Sequence, residues 1–278
     1  NLKRQNETTC WTLASFSPDF MANGRGAQLS REDRLAGTPF LVVLDTDGAG
    51  TEPRIRLAAP VALADIERAM ASQISQQPVV SWNSQRQAVE AEQQKRLGAL
   101  VLQRRALPRP WPDSARQCLL DAVRASMSTL LPWSEGALQM QARVNWLHRQ
   151  QPQQWPDFSD AALNVSLDDW LSPYLDGIYN ATELGKLDLA QVLKSFLAWP
   201  LQQQLDTHAP AHWALPTGSE PRLDYTGENG PVLRARMQEF YGLQVHPTLP
   251  NGQALLVELL SPAHRPLQIT RDLPGFWK

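Results

Sequence analysis

Cysteine is scarce. Cys10 and Cys118 are the only two in 278 residues and stand more than 100 positions apart. A disulfide scaffold and a zinc site built on paired cysteines are thereby excluded, and the usage fits a reducing cytosol. No apolar run approaches the ~18 residues of a membrane span, and no signal-like segment opens the sequence. Excess charge is also missing. Lys and Arg number 26 against 28 Asp and Glu, a net of −2, with a pI of about 6.2. That excludes a wholesale polyanion binder and leaves room for a local basic patch. No Gly-x-x-x-x-Gly-Lys-Ser/Thr loop occurs, so no nucleotide triphosphate and magnesium can be held in the P-loop manner. A His-Glu-x-x-His pair and a Gly-x-Ser-x-Gly elbow are absent too.

What is present reads as a globular α+β chain, with 42% apolar and 19% charged residues. The length suits one large domain or two smaller ones, with a core that needs no staples. The chain opens at Asn1 without a methionine and closes on Phe276-Trp277-Lys278, aromatics that rarely end a protein facing water. We expect a piece of a longer protein. The first third is strand-rich. Pro39 to Asp45 is a buried-strand run, Thr46-Asp-Gly-Ala-Gly50 is a turn, and Arg54 to Ala59 alternates polar and apolar residues, which predicts a hairpin over 40–59. A short helix is predicted over 63–70. Between 79 and 106, Ala88 to Lys95 fits either a helix by propensity or the middle strand of a meander. We favour the meander because strand signals flank it. Pro108, Pro110 and Pro112 then mark a boundary. A central helical segment follows, over about 113–131, from Ser134, from Ser159-Asp160 and over 186–199. Leu138 is assigned to the inner side of the second of these helices. The last part is mixed, with a strand and turn at 213–219, a strand at 222–225 and a hairpin joining 253–260 to 267–270.

Charge is unevenly spread. Residues 84–110 carry Arg86, Lys95, Arg96, Arg104, Arg105 and Arg109 against Glu90 and Glu92, a net of +4. Residues 155–190 carry a net of −6, which suits a solvated helical surface with carboxylates near helix starts. His208 and His212 have metal-gripping spacing, but Pro210 between them breaks the helix that would align them. Asp168 and Asp169 are adjacent on a helix and point apart, so they make a poor acid/base pair. Asn23-Gly-Arg-Gly26 has the look of a small phosphate cradle, yet a tight turn between strands explains it better. Most of the ten tryptophans are expected in the core, each with a partner for its indole N–H. Trp82 near Arg86 and Trp111 near Arg109 are the pairs best suited to stacking bases beside cations.

Several strings resemble a known family. Met21-Ala-Asn-Gly-Arg-Gly-Ala27 with Arg54-Ile-Arg-Leu-Ala-Ala-Pro60 is similar to the region after the motor core of the bacterial HrpB helicases, members of the DEAH/RHA group. Asp169-Trp-Leu-Ser-Pro-Tyr-Leu-Asp-Gly177, Leu215 to Ser219, Arg236 to Gly242 and the long string Leu259 to Lys278 resemble the C-terminal domain of that family. The family's two motor domains and its basic tail have no counterpart in this sequence. The resemblance implies an OB-like β part over 1–74 and a family-specific C-terminal domain over 75–278. It implies no catalytic residue and no cofactor here, with ATP and magnesium belonging to the parent helicase. The implied partners are single-stranded RNA or DNA and the motor domains of the same polypeptide, in the cytoplasm and without a membrane. On that reading Arg25, Arg86, Lys95, Arg96, Arg104 and Arg105 are candidate phosphate contacts and Trp82 a candidate stacking group. A protein-interaction scaffold is the alternative. An independent enzyme is disfavoured, since no nucleophile, base and orienter stand at workable spacing.

Overall fold

A computed structural model describes residues 12–16, 19–22, 24, 26–30, 32–47, 53–227 and 229–277. The fold is α+β and divides into two compact units. The first ends at Ser81 and resumes over Val89–Ala115; the second takes Trp82–Ala88 and everything described from Arg116 on.

The first unit holds β1 (Thr12–Phe16), β2 (Asp19–Met21), β3 (Phe40–Asp47) and β4 (Arg54–Pro60), then α1 (Leu63–Ala69). β5 (Ile74–Asn83), β6 (Ala88–Leu97) and β7 (Leu100–Ala106) follow. The first four strands form an antiparallel sheet in the order β2-β1-β3-β4. Among the described residues this sheet has four strands, where an OB barrel has about five. The hairpin expected over 40–59 is present, with bulges around Asp45. Met21, Ala27, Val43 and Ile55 close one cluster of the core; Phe40, Ile66, Leu97, Leu100 and Leu102 close another. The second cluster draws in α1 and the β6–β7 turn, so the meander β5-β6-β7 grows from the core of this unit. Ala88 to Lys95 is therefore strand. Its pairing with β7, from Glu92 opposite Ala106 to Leu97 opposite Leu100, fixes it as a strand, and Val89 and Ala91 are buried on one face two positions apart.

The second unit begins on α2 (Asp113–Ala125), α3 (Met127–Leu130) and α4 (Glu135–Gln150). α5 (Asp160–Val165), α6 (Leu167–Trp170), α7 (Ala181–Leu184), α8 (Leu189–Phe196) and α9 (Trp199–His208) complete the helical part. Polar side chains start these helices where the sequence placed them. Ser134 Oγ accepts from the Ala137 N–H at 3.2 Å and Ser159 Oγ from the Ala162 N–H at 3.3 Å. Such a cap is worth about 1 kcal/mol. α4 buries Ala137, Met140, Val144 and Leu147, a helical stripe packed on α8. Leu138 lies off that stripe and is exposed, contrary to the sequence assignment. The helix expected over 113–131 breaks at Ser126, and the one over 186–199 shortens to α8, with Trp199 opening α9 and exposed. Trp146, Trp155 and Trp170 are core anchors. Trp170 donates to the Leu163 carbonyl at 2.9 Å, whereas the indole N–H groups of Trp146 and Trp155 are buried with no partner among the described residues, against expectation.

A last sheet has the order β11-β10-β9-β8, built from β8 (Leu223–Asp224), β9 (Val232–Arg236), β10 (Leu256–Leu260) and β11 (Pro266–Thr270), before α10 (Leu273–Phe276). The hairpin β10–β11 matches expectation, while β9 pairs β10 in parallel. Of the strand and turn expected over 213–219, the turn is present and the strand is not. The Leu215 N–H bonds the Ser219 carbonyl at 2.9 Å, and Gly218 takes a left-handed φ of 84°.

Candidate nucleic-acid interface

The meander carries most of the basic candidates, and both of its ends are fastened. At the β6–β7 end, Gly98 has φ of 57° and a Cβ there would lie 2.2 Å from the Ala22 carbonyl oxygen. Only glycine fits so close a backbone approach. The next amide, Ala99, donates to that same carbonyl at 3.0 Å. The other end, the β5–β6 tip, belongs to the second unit. Asn83 Oδ1 accepts the Gln85 and Arg86 amides, each at 3.0 Å, which folds the tip. Ala88 bridges Asn180, and the Ala181 N–H donates to the Gln87 carbonyl at 2.9 Å.

The cations between these ends do not form one uniform patch. Register pairs Gln94 with Arg104, Gln93 with Arg105 and Lys95 with Gln103. Side chains alternate across a strand, so Lys95 and Arg105 share one face while Arg104 lies on the other with Glu92. Lys95 Nζ sits 2.9 Å from Glu67 Oε1 on α1. Arg104 pairs with Glu92 at 3.7 Å. Arg96 reaches the Gln94 amide oxygen at 3.5 Å and the Ala99 carbonyl at 3.3 Å. Counting Glu67, the six cations face three carboxylates, a net of +3. Arg105 is exposed and makes no side-chain ion pair or hydrogen bond among the described residues. Arg86 is exposed on the tip, and Trp82 in the same stretch is half-buried. Arg109 places its guanidinium 5.0 Å from the centre of the Trp111 ring, as their spacing suggested. Arg25 lies outside the described residues.

The stretch 73–107, which spans this meander, matches the family model described as "ATP-dependent RNA helicase HrpB, connector region". Residues 170–278 match the model "ATP-dependent helicase C-terminal", HrpB_C. Over 262 residues the chain is 35% identical to the ATP-dependent RNA helicase HrpB of Escherichia coli (strain K12), covering 93% of this chain and 32% of the relative. The chain belongs to the C-terminal region of the HrpB family. It is similar in structure to the crystal structure of E. coli DExH-box NTPase HrpB, with a TM-score of 0.59 and 33% identity over 96% of this chain and 34% of that one. A second structure, the Escherichia coli DEAH/RHA helicase HrpB, gives a TM-score of 0.57 at 30% identity over the same shares. The chain thus spans about a third of the length of the HrpB proteins it matches.

Two features of this HrpB region escaped the sequence reading. The first is the Asp224–Arg234–Glu258 row across β8, β9 and β10, with Arg234 at 2.6 Å from Asp224 and 2.5 Å from Glu258. Burial pushes the Asp224 carboxyl up, but hydrogen bonds from Thr226 and Arg234 outweigh it and hold it below the usual range. The alternation in Val232-Leu-Arg-Ala-Arg236 was the available signal. The second is an aromatic cluster of Tyr241, Phe276 and Trp277, of which only the chain-ending pair had drawn notice. Among the described residues no group of three or more His, Cys, Asp or Glu could hold a metal ion, and no helix is long and apolar enough to cross a membrane.

Proposed function

We propose that this chain is an accessory region of an HrpB-type ATP-dependent helicase that contacts single-stranded nucleic acid and packs on the motor domains. It contributes no ATPase activity of its own; ATP and magnesium belong to the parent's motor, and the setting is the cytoplasm. The observation that carries this is the coincidence of the connector match over 73–107 with the fastened meander that presents Lys95, Arg96, Arg104 and Arg105. The OB-like reading of the N-terminal part is retained with it.

The register refines the phosphate assignment. Lys95 and Arg104 already have carboxylate partners, so a phosphate must displace Glu67 or Glu92 to engage them. Arg105 is the better first contact, and each phosphate contact adds about −0.7 to the salt slope on single strands. Fluorescence anisotropy with labelled single-stranded RNA and DNA at two salt concentrations tests this. Arg105→Glu should weaken binding more than Arg104→Glu does. Equal and unchanged affinities for both variants would refute the meander as the interface.

The exposed aromatic cluster favours a second role as a protein-docking scaffold, which does not compete with the first.

A further inference from the structure

Tyr241, Phe276 and Trp277 are 53%, 39% and 38% exposed, high values for rings of this size. They form one group. The Trp277 ring lies edge-on to Tyr241 at 5.7 Å and to Phe276 at 5.1 Å. The backbone beneath them is tightly held. Leu273 of α10 is fully buried, and its N–H donates to His246 Nδ1 at 3.1 Å. His246 therefore carries its proton on Nε2, which donates to the Leu255 carbonyl at 2.7 Å. Asp272 Oδ1 accepts the Gly275 N–H at 3.0 Å, and Thr270 Oγ1 accepts the Asp272 N–H at 2.9 Å. Exposed aromatics fixed in advance lose little freedom on binding, as interface anchors do.

The surroundings select the kind of partner. Residues 170–278 hold eight Lys and Arg against ten Asp and Glu, which disfavours a nucleic-acid phosphate backbone. The three rings expose on the order of 300 Å², given ~150–250 Å² per aromatic side chain. A free protein partner needs about 800 Å² from each side. A partner on the same polypeptide needs far less, because tethering supplies an effective concentration near the millimolar range. About two thirds of an HrpB protein lies outside the matched region, so such a partner exists in length.

We propose that the Tyr241–Phe276–Trp277 cluster is the surface by which this region seats on the portion of the HrpB polypeptide outside this chain, filling an apolar recess there. The proposal rests on the packing reading above and names the surface that makes it.

Hydrogen exchange read in the full-length HrpB protein and in this chain alone tests it. The Tyr241, Gly275, Phe276 and Trp277 amides should exchange at least tenfold slower in the full-length protein. Tyr241→Ala with Trp277→Ala should abolish that slowing while this chain keeps a cooperative melting transition. Trp277→Glu, which keeps a side chain and adds a charge, should do the same and guards against a folding artefact. Equal exchange at these amides, with other surfaces of the second unit protected, would overturn the cluster and leave the packing reading standing. No added protection anywhere in the second unit would overturn both. Protection that grows with concentration in the chain alone would assign the cluster to a second copy, and protection by single-stranded RNA would assign it to stacking; either result overturns the proposal.

Discussion

Replacing Gly98 by alanine should be the most damaging single-methyl change in the connector. Two costs add. The backbone there has φ of 57°, which costs an L side chain about 1 kcal/mol. The added Cβ would also stand 2.2 Å from the Ala22 carbonyl oxygen, a backbone atom that cannot swing away. Relief requires the β6–β7 turn to move off the segment after β2. That breaks the Ala99 N–H to Ala22 carbonyl bond at 3.0 Å and loosens Leu97 and Leu100 in the core cluster. A lost hydrogen bond contributes about 1 kcal/mol and partial core loosening about as much again, for a total of about 3 kcal/mol. Gly37 supplies the control. Its φ is 87°, but nothing lies within 4 Å of an added Cβ, so Gly37→Ala meets only the conformational cost of about 1 kcal/mol. Urea unfolding of each variant, with hydrogen exchange over 88–106 to report the first unit separately, measures the difference. We expect Gly98→Ala to lie about 2 kcal/mol below Gly37→Ala and to speed exchange across the meander. If the two variants unfold alike, the close approach at Ala22 has no energetic weight, and the meander is not fastened at that end.

Three further outcomes are expected. Hydrogen bonds from Ser219 and Arg236 hold the Glu239 carboxyl below its ordinary value. Its stabilising contribution is then complete above the unfolded value of about 4.3 and is lost as pH falls through the lower folded value. Glu239→Gln should flatten the acid limb of stability below about pH 4, and an unchanged acid limb in pH-dependent unfolding would contradict this. Arg143, nearly buried on α4, donates from Nε to the Ala209 carbonyl at 2.6 Å and pairs with Asp206 of α9. Arg143→Met should destabilise the second unit by about 2–4 kcal/mol, because it strands a buried carbonyl, and calorimetry would read the loss. Asn180→Ala removes the Oδ1 that accepts the Glu183 N–H at 2.8 Å, costing about 1 kcal/mol, and should speed exchange of the Ala181 amide that bonds Gln87. Equal exchange at Ala181 would show that the cap does not support the tip contact.

Local chemistry made much of the fold legible. Ser134 and Ser159 announce helices through a bond formed three residues on, and Pro132 ends the segment before α4, all within a few residues of sequence. The alternation in Arg54 to Ala59 and the Asp-Gly turn before it specify a hairpin for the same reason. The parallel pairing of β9 with β10 was hidden because its partners stand about 24 residues apart, as Val232 does from Leu256, with no turn to announce them. The candidate interface shows the same divide more sharply. Composition over 84–110 counts six cations, but their use depends on facts that composition does not hold. The register places neighbours Arg104 and Arg105 on opposite faces. Lys95 meets a carboxylate 28 residues away on α1. The Gln87 carbonyl at the tip is claimed by an amide of α7 in the second unit. A basic stretch in a strand is therefore split in two by the pleat before any phosphate arrives. What either face could offer a phosphate then depends on which of its cations lacks a carboxylate partner, and on the face shared by Lys95 and Arg105 that cation, among the described residues, is Arg105.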